Sequence, residues 1–286
     1  MRYAAIATIV SPVAVARRCG LLAVSRSGFY AWCQRQPSGR AQADVRLVAD
    51  IRRIHQTADR SYGSPRIYRE LRAAGVACGR HRVARLMRLA GIRGKQRRRW
   101  RVTTDSRHAF AVAPNRLDRD FTATAPNHVW MGDVTYIPTG TGWCYLAVLL
   151  DAFSRRIVGW AVGTQLTAAL PLAALEQAVR TRRPPAGLLH HSDRGVQYAC
   201  EAYQQALRTY GLEGSMSRRG DCWDNAVVES FFASLKVERL HERHVTTVEE
   251  VHQEVEDYIE RFYNRQRRHS TLGYVSPVIY ELRYAA

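Results

Sequence analysis

Zinc-finger spacing and membrane-length apolar runs are missing from this chain, and lysine is scarce. The six cysteines, at 19, 33, 78, 144, 200 and 222, form no Cys-x-x-Cys pair and match no histidine spacing. That pattern argues against a zinc site, and the chain is too long to depend on a disulfide framework. The cysteines read as small buried hydrophobes in a reducing cytosol. No run approaches the ~20 apolar residues that span a bilayer, so no membrane partner is expected. The first 16 residues have the outline of a secretory leader, but Ser11-Pro12 interrupts the apolar stretch and an arginine-rich segment follows, so export is not expected. Lysine occurs only as Lys95 and Lys236 among 43 basic residues; the others are arginine. Coding-sequence base composition is enough to produce that bias, so arginine abundance alone does not argue for phosphate recognition.

The distribution of charge says more. Residues 1–120 hold 26 Lys+Arg against 7 Asp+Glu, a net +19, whereas residues 121–286 sum to −1. A basic segment joined to a near-neutral, apolar-patterned one points to a polyanion-binding module feeding a catalytic or scaffold module. Residues 1–92 read as helical. SRSGFYAW begins with cap-type residues, and Val45, Val48, Ile51 and Ile54 recur at helical spacing. SPRIYRELRAAG offers Ser64 as cap, Pro65 at the first helical position and Gly75 as stop. In GRHRVARLMRLAG, Val83, Leu86, Met87 and Ala90 form an apolar face while His81, Arg85 and Arg88 share another. Two short helices joined by a turn, the second with a basic face, are the arrangement of a helix-turn-helix; a plain bundle with a solvated basic face is the alternative. Composition favours DNA contact, with Arg66, Arg82, Arg85 and Arg88 as candidate contacts. Residues 93–127 read as a basic linker, where Arg97, Arg98, Arg99 and Arg101 surround Trp100. Such a run suits a phosphate backbone, and Trp100 either stacks on a base or anchors the linker.

After Asn127 the pattern turns to strands. HVWMGDVTYIP, WCYLAVLLDAF and RRIVGWAVG suggest an antiparallel meander. A helix, the strand GLLHH, the helix QYACEAYQQALRTYG, a short strand near GSMS and the helix AVVESFFASLKVERL follow. The expectation is an α/β core over residues 128–245, a mixed five-stranded sheet with flanking helices, preceded by the small all-α region. Residues 246–286, an amphipathic helix and tail, complete it.

Three acids are out of keeping with their neighbours. Asp133 sits in mid-strand, sharing a face with Val129, Met131, Thr135 and Ile137. Asp193 ends the strand in HHSDRGVQY, where a turn role is the local alternative. Glu229 interrupts a helix whose buried side is Val228, Phe231 and Leu235. Acids so placed make sense if they converge on hard divalent cations: Mg²⁺, two ions ~3.5–4 Å apart, with Mn²⁺ able to substitute. Between Asp193 and Glu229 lie 35 residues, and Lys236 follows Glu229 by seven. Nearly two helical turns put Glu229 and Lys236 on one face ~10 Å apart, where an ammonium suits a DNA phosphate; a snorkelling surface lysine is the alternative. Asn225, one turn before Glu229, either orients a ligand or nucleotide or caps the helix. Asp151 reads as a turn former, His190 and His191 as strand residues, and Trp223 as a loop anchor, with a wedge against DNA as the alternative.

The stretches VSRSGFYAW, YGSPRIYRELR, APNRLDRDF, WMGDVTYIPT, LLDAFSRRIVGW, HSDRGVQY, CWDNAVVESFFASLK and YNRQRRHSTLGYVSP together resemble the retroviral-integrase-like DDE superfamily. More closely, they resemble the second-frame transposases of IS3-family insertion sequences. The resemblance implies an RNase H-like fold with Asp133, Asp193 and Glu229 as catalytic metal ligands. It implies cleavage at element ends and joining of 3′-OH ends to target DNA, with no covalent protein–DNA intermediate. Double-stranded DNA, a homo-oligomer, and an upstream-frame protein or frameshift fusion are the partners it implies, in the bacterial cytoplasm or at the nucleoid. A nuclease on the same fold, a DNA-binding regulator and a decayed remnant are the rival readings.

Overall fold

The computed structural model describes residues 2–9, 13–95, 112–218, 222–241, 243 and 245–284. Its contacts divide the chain into two compact units, Met1–Ile51 and Arg52–Ala286. In the first, helices α1 (Arg2–Thr8), α2 (Val15–Leu21) and α3 (Arg26–Gln34) gather around Ile6, Cys19 and Phe29. Ser25 caps α3 by accepting a hydrogen bond from the Gly28 amide at 3.0 Å, as its position before the helix predicts. Helix α4 spans Gly39–Thr57.

In the second unit, α5 (Ser64–Ala73) and α6 (Arg80–Leu89) form the helical pair expected from sequence. Ile67 and Leu71 are buried on one, Val83, Leu86 and Met87 on the other. Gly75 and Gly91 follow the two helices at φ of +77° and +68°, the left-handed conformation that glycine supplies at a helix end.

Five strands build one mixed sheet in the order β3-β2-β1-β4-β5. Strands β1 (Val129–Thr139), β2 (Gly142–Asp151) and β3 (Ile157–Gly163) are an antiparallel meander, while β4 (Leu189–Ser192) and β5 (Glu213–Met216) run parallel to β1. Helix α7 (Ala169–Arg182) makes the crossover from β3 to β4 and packs closely on the sheet. A Cβ at Gly159 would lie 2.2 Å from the Ala174 carbonyl oxygen, so only glycine admits this approach. Asp151 forms the β2–β3 turn as expected: its buried carboxylate accepts from the amides of Asn127, Phe153 and Ser154 at 2.7, 3.0 and 3.1 Å.

The stretch expected as one helix after β4 is two, α8 (Val196–Ala199) and α9 (Glu201–Thr209). Cys200, extended at φ −66° and ψ 150°, breaks the run and becomes the N-cap of α9. Helix α10 (Ala226–Leu235) continues in π form over Lys236–Leu240, and α11 (Val248–Glu256) in π form over Asp257–Tyr263. Helix α12 (Pro277–Tyr284) is pinned through Glu281, which accepts from Arg156, Arg182 and Ser154. No described helix is long and apolar enough to cross a membrane.

A buried hub ties these C-terminal elements to α5. Glu238 accepts from Arg267 through both carboxylate oxygens at 2.7 Å and from the Tyr258 hydroxyl at 2.8 Å. Arg66 of α5 reaches the same carboxylate at 3.3 Å, and Arg268 pairs with Glu70 of α5 at 2.6 Å.

Candidate active site

The parallel register of β1 and β4 decides where the acids meet. Val129 pairs with Leu189 and the ladder ends at Gly132 and Ser192. One residue further on each chain stand Asp133 and Asp193, on neighbouring strands spaced ~4.8 Å. Asp133 accepts from the Val134 amide at 2.8 Å. One Asp193 oxygen accepts from the Gly195 amide at 2.9 Å, so this residue shapes the turn and still presents a carboxylate beside Asp133.

Helix α10 is tied to β1 on both sides of Asp133. The Asn225 Nδ2 donates to the Gly132 carbonyl at 3.2 Å, and the Lys236 Nζ donates to the Thr135 hydroxyl at 2.6 Å. Asn225 therefore does not cap α10 through its side chain. Glu229 lies between the two ties, exposed in the first turn. Lys236 is only 9% exposed, which rules out the snorkelling alternative.

Electrostatics show that the acids sense one another. Burial, then the charge of Asp193, then that of Glu229 push the Asp133 carboxyl well above the ordinary range; the Val134 amide and Lys236 oppose the rise. Partial desolvation by the surrounding chain raises the exposed Glu229 as well. Burial also lowers the Lys236 ammonium to about 8, against the pull of Asp133. Two buried polar atoms close by have no hydrogen-bond partner, Asn225 Oδ1 and the Tyr198 hydroxyl, and the latter feels both Asp133 and Asp193. Oxygen donors that repel one another beside orphaned polar atoms fit a hard divalent cation. As the chain stands, no three such side chains among the described residues converge tightly enough to hold an ion. The charges couple Asp133 to each of the other two acids.

His190 and His191 are structural, as strand residues would be. His190 Nε2 meets the Tyr203 hydroxyl at 2.9 Å; His191 meets Ser215 and Ser217 at 2.9 and 3.1 Å. Burial depresses them to about 3 and about 4. A base whose folded value lies below its unfolded one costs stability as pH falls from ~6.5 towards the folded value. Ring resonances of both histidines, followed by NMR, are expected to show no protonation between pH 5 and pH 8; an inflection near 6.5 would contradict their burial.

The expected DNA contacts are dispersed. Arg66 lies inward against Glu238 and 5.4 Å from the Tyr62 ring. On α6, Arg88 is exposed, while Arg82 and Arg85 are half-buried. Arg97, Arg98, Arg99 and Arg101 lie outside the described residues. The loop before α10 buries an acid that the sequence does not mark as functional. Asp224 is fully buried and pairs with Arg218 and Arg119 at 2.7 and 3.0 Å, and Arg218 above all holds its carboxyl well below the usual range. Its local signal was weak, because an aspartate in a loop just before a helix reads as turn or cap chemistry.

Comparison with known proteins places these features in context. Residues 42–100 match the HTH-like domain family, and residues 123–222 and 210–277 match two integrase core domain families. The chain is 46% identical over 266 residues to the insertion element IS600 uncharacterized 31 kDa protein of Shigella sonnei, covering 93% of this chain and 98% of that one. It is 40% identical over 283 residues to the transposase InsF for insertion sequence IS3A of Escherichia coli (strain K12), covering 98% of each. Among solved structures, the HTLV-2 integrase catalytic core domain in complex with magnesium overlaps 56% of this chain and 99% of that chain, at 18% identity and a TM-score of 0.45.

Proposed function

The chain belongs to the IS3 family of insertion-sequence transposases, and from that premise we propose that Asp133, Asp193 and Glu229 carry its strand-transfer chemistry. The protein is a DDE polynucleotidyl transferase acting in DNA transposition and integration. In the transfer step a DNA 3′-hydroxyl oxygen attacks a target phosphorus; one P–O bond forms, another breaks, and the departing 3′-oxygen takes up a proton. The observation that carries the assignment is the β1–β4 register, which sets Asp133 beside Asp193 while α10 is fastened across them.

The family uses divalent metal, and the three carboxylates are the residues that would hold it, as two Mg²⁺ ions or Mn²⁺ in their place. Bound there, the metal supplies Lewis-acid activation of the attacking oxygen and charge relief for the leaving one. The chain's own groups prepare the site. Thr135 holds Lys236 beside Asp133, and the Asn225 amide fixes the start of α10 against β1. Lys236 and Asn225 then position the scissile strand. Residues 1–92 and the basic linker 93–127 grip DNA through their arginines, the core 128–245 cuts and joins, and residues 246–286 complete that core. Two element ends must be handled together, which calls for a homo-oligomer, with an upstream-frame protein or fusion supplying further end recognition in the bacterial cytoplasm.

Purified protein, mixed with a duplex of its element end and supercoiled plasmid in Mg²⁺, is expected to join the 3′ end to the plasmid. Asp193→Asn is expected to abolish joining while leaving duplex binding intact. Cleavage without joining by the parent would indicate a nuclease; undiminished joining by the variant would remove Asp193 from the mechanism.

A further inference from the structure

Beside Thr135 and Lys236 lies a cavity of about 1110 Å³ whose aromatic wall the chemistry above does not use. It exists because β4 stops at Ser192. From Asp133 onward that edge of β1 has no partner from β4. Tyr136, Trp143 and Tyr145 line one side; Thr135, Lys236 and Arg243 line another.

The aromatic side follows from the β1–β2 register. Tyr136 stands opposite Tyr145 and Pro138 opposite Trp143, so the rings share one face of the hairpin. Tyr136 meets Tyr145 edge-on at 5.1 Å and Trp143 at 6.1 Å. Trp143 is 58% exposed, a large apolar ring presented to solvent at the mouth of the cavity. The polar side reaches the acids directly: Lys236 is bonded to Thr135 and feels Asp133. Tyr136 in turn feels the charge of Asp193. Arg243 stands at the far end, paired with Glu254. The rings and the Thr135–Lys236 pair lie on opposite faces of β1 and meet at its free edge, and rings against bases with cations against phosphates are how proteins hold unpaired nucleic acid. The cavity exceeds the ~300–1,000 Å³ of an ordinary small-molecule pocket, so it has room for more than one group.

We propose that this cavity takes unpaired nucleotides of the DNA strand next to the scissile phosphate, stacking their bases on Trp143 and Tyr136. This rests on the strand-transfer reading and extends it. Where the duplex opens beside the scissile phosphate, each base captured in the cavity offsets part of the unpairing cost. Stacking of this kind contributes about 1–3 kcal/mol per base.

The test uses the full chain and two duplexes of the element's terminal sequence, one fully paired and one with its last base pairs mismatched. The parent is expected to bind the mismatched end more tightly. Trp143→Ala is expected to lose about tenfold in that preference, equivalent to about 1.4 kcal/mol, while Trp143→Phe retains most of it. A 2-aminopurine in the mismatched end should report stacking with the parent and not with Trp143→Ala. An unchanged preference and 2-aminopurine signal in Trp143→Ala overturn the proposal. So does a change in oligomeric mass with no change in preference, which would make the cavity a contact between copies. Joining by Asp193→Asn in the same preparation would overturn the catalytic reading instead and leave the base preference standing.

Discussion

Asp133→Asn is expected to lower strand transfer by about 10³-fold or more, about 4 kcal/mol of transition-state stabilisation, while making the metal-free protein more stable. Both effects have one cause. The folded chain holds the Asp133 carboxyl well above its usual range through burial and the charges of Asp193 and Glu229. In the unfolded chain it ionises near ~3.9. Between those values the folded state binds the extra proton, so stability falls as pH rises through that window. Asparagine removes this penalty, and the gain in Tm should be small in acid and grow towards neutrality. For a chain of this size each kcal/mol relieved corresponds to roughly 2–4 °C. Magnesium should narrow the gap, since a bound cation offsets the repulsion in the parent. Calorimetry with and without Mg²⁺ across pH checks this; a variant less stable than the parent at neutral pH would show that these acids do not repel.

Glu238→Gln is expected to cost about 3–5 kcal/mol, because it leaves a buried guanidinium without its counter-charge. Arg267 is buried, and Glu238 answers it with two hydrogen bonds of 2.7 Å while also taking Tyr258 and Arg66. Burial pushes the Glu238 carboxyl up, but Arg267 and its neighbours outweigh that and leave it below its ordinary value. A depressed carboxyl stabilises the fold above the unfolded value and loses that contribution as pH falls through the folded one. The parent should therefore lose stability in acid below ~4.3, and the variant should lack that part of the acid limb. Replacing Glu238 and Arg267 together by apolar residues of similar volume is expected to cost less than Glu238→Gln alone. Urea melts of the three proteins decide it, and equal midpoints for parent and Glu238→Gln would show the pair to be dispensable.

The acids proposed as catalytic stand out in the sequence because each violates its surroundings: a charge in mid-strand at Asp133, one ending a core strand at Asp193, one in an apolar helix at Glu229. The sheet was legible for a related reason, since alternation and β-branched runs mark strands wherever helices bury them. What local patterns could not show was direction. Helical spacing put Lys236 on the face of Glu229, and the switch to π form at that residue accompanies an ammonium that points to Thr135 of β1. Glu238 and Arg267 are 29 residues apart and each looks like an ordinary surface charge in its own segment. Only the packing of α11 and the tail against α10 reveals them as a pair. The arginines carry the least information: when nearly every cation is arginine, residue type cannot separate Arg66, turned towards Glu238, from Arg88, turned outward.

Manganese binding by the protein–DNA complex, read by electron paramagnetic resonance, tests the central claim most directly. Asp133→Asn, Asp193→Asn and Glu229→Gln are each expected to weaken Mn²⁺ binding by more than the ~10–100-fold that loss of a supporting residue costs, with DNA still bound. Parent-like Mn²⁺ affinity in all three variants would contradict a shared metal site.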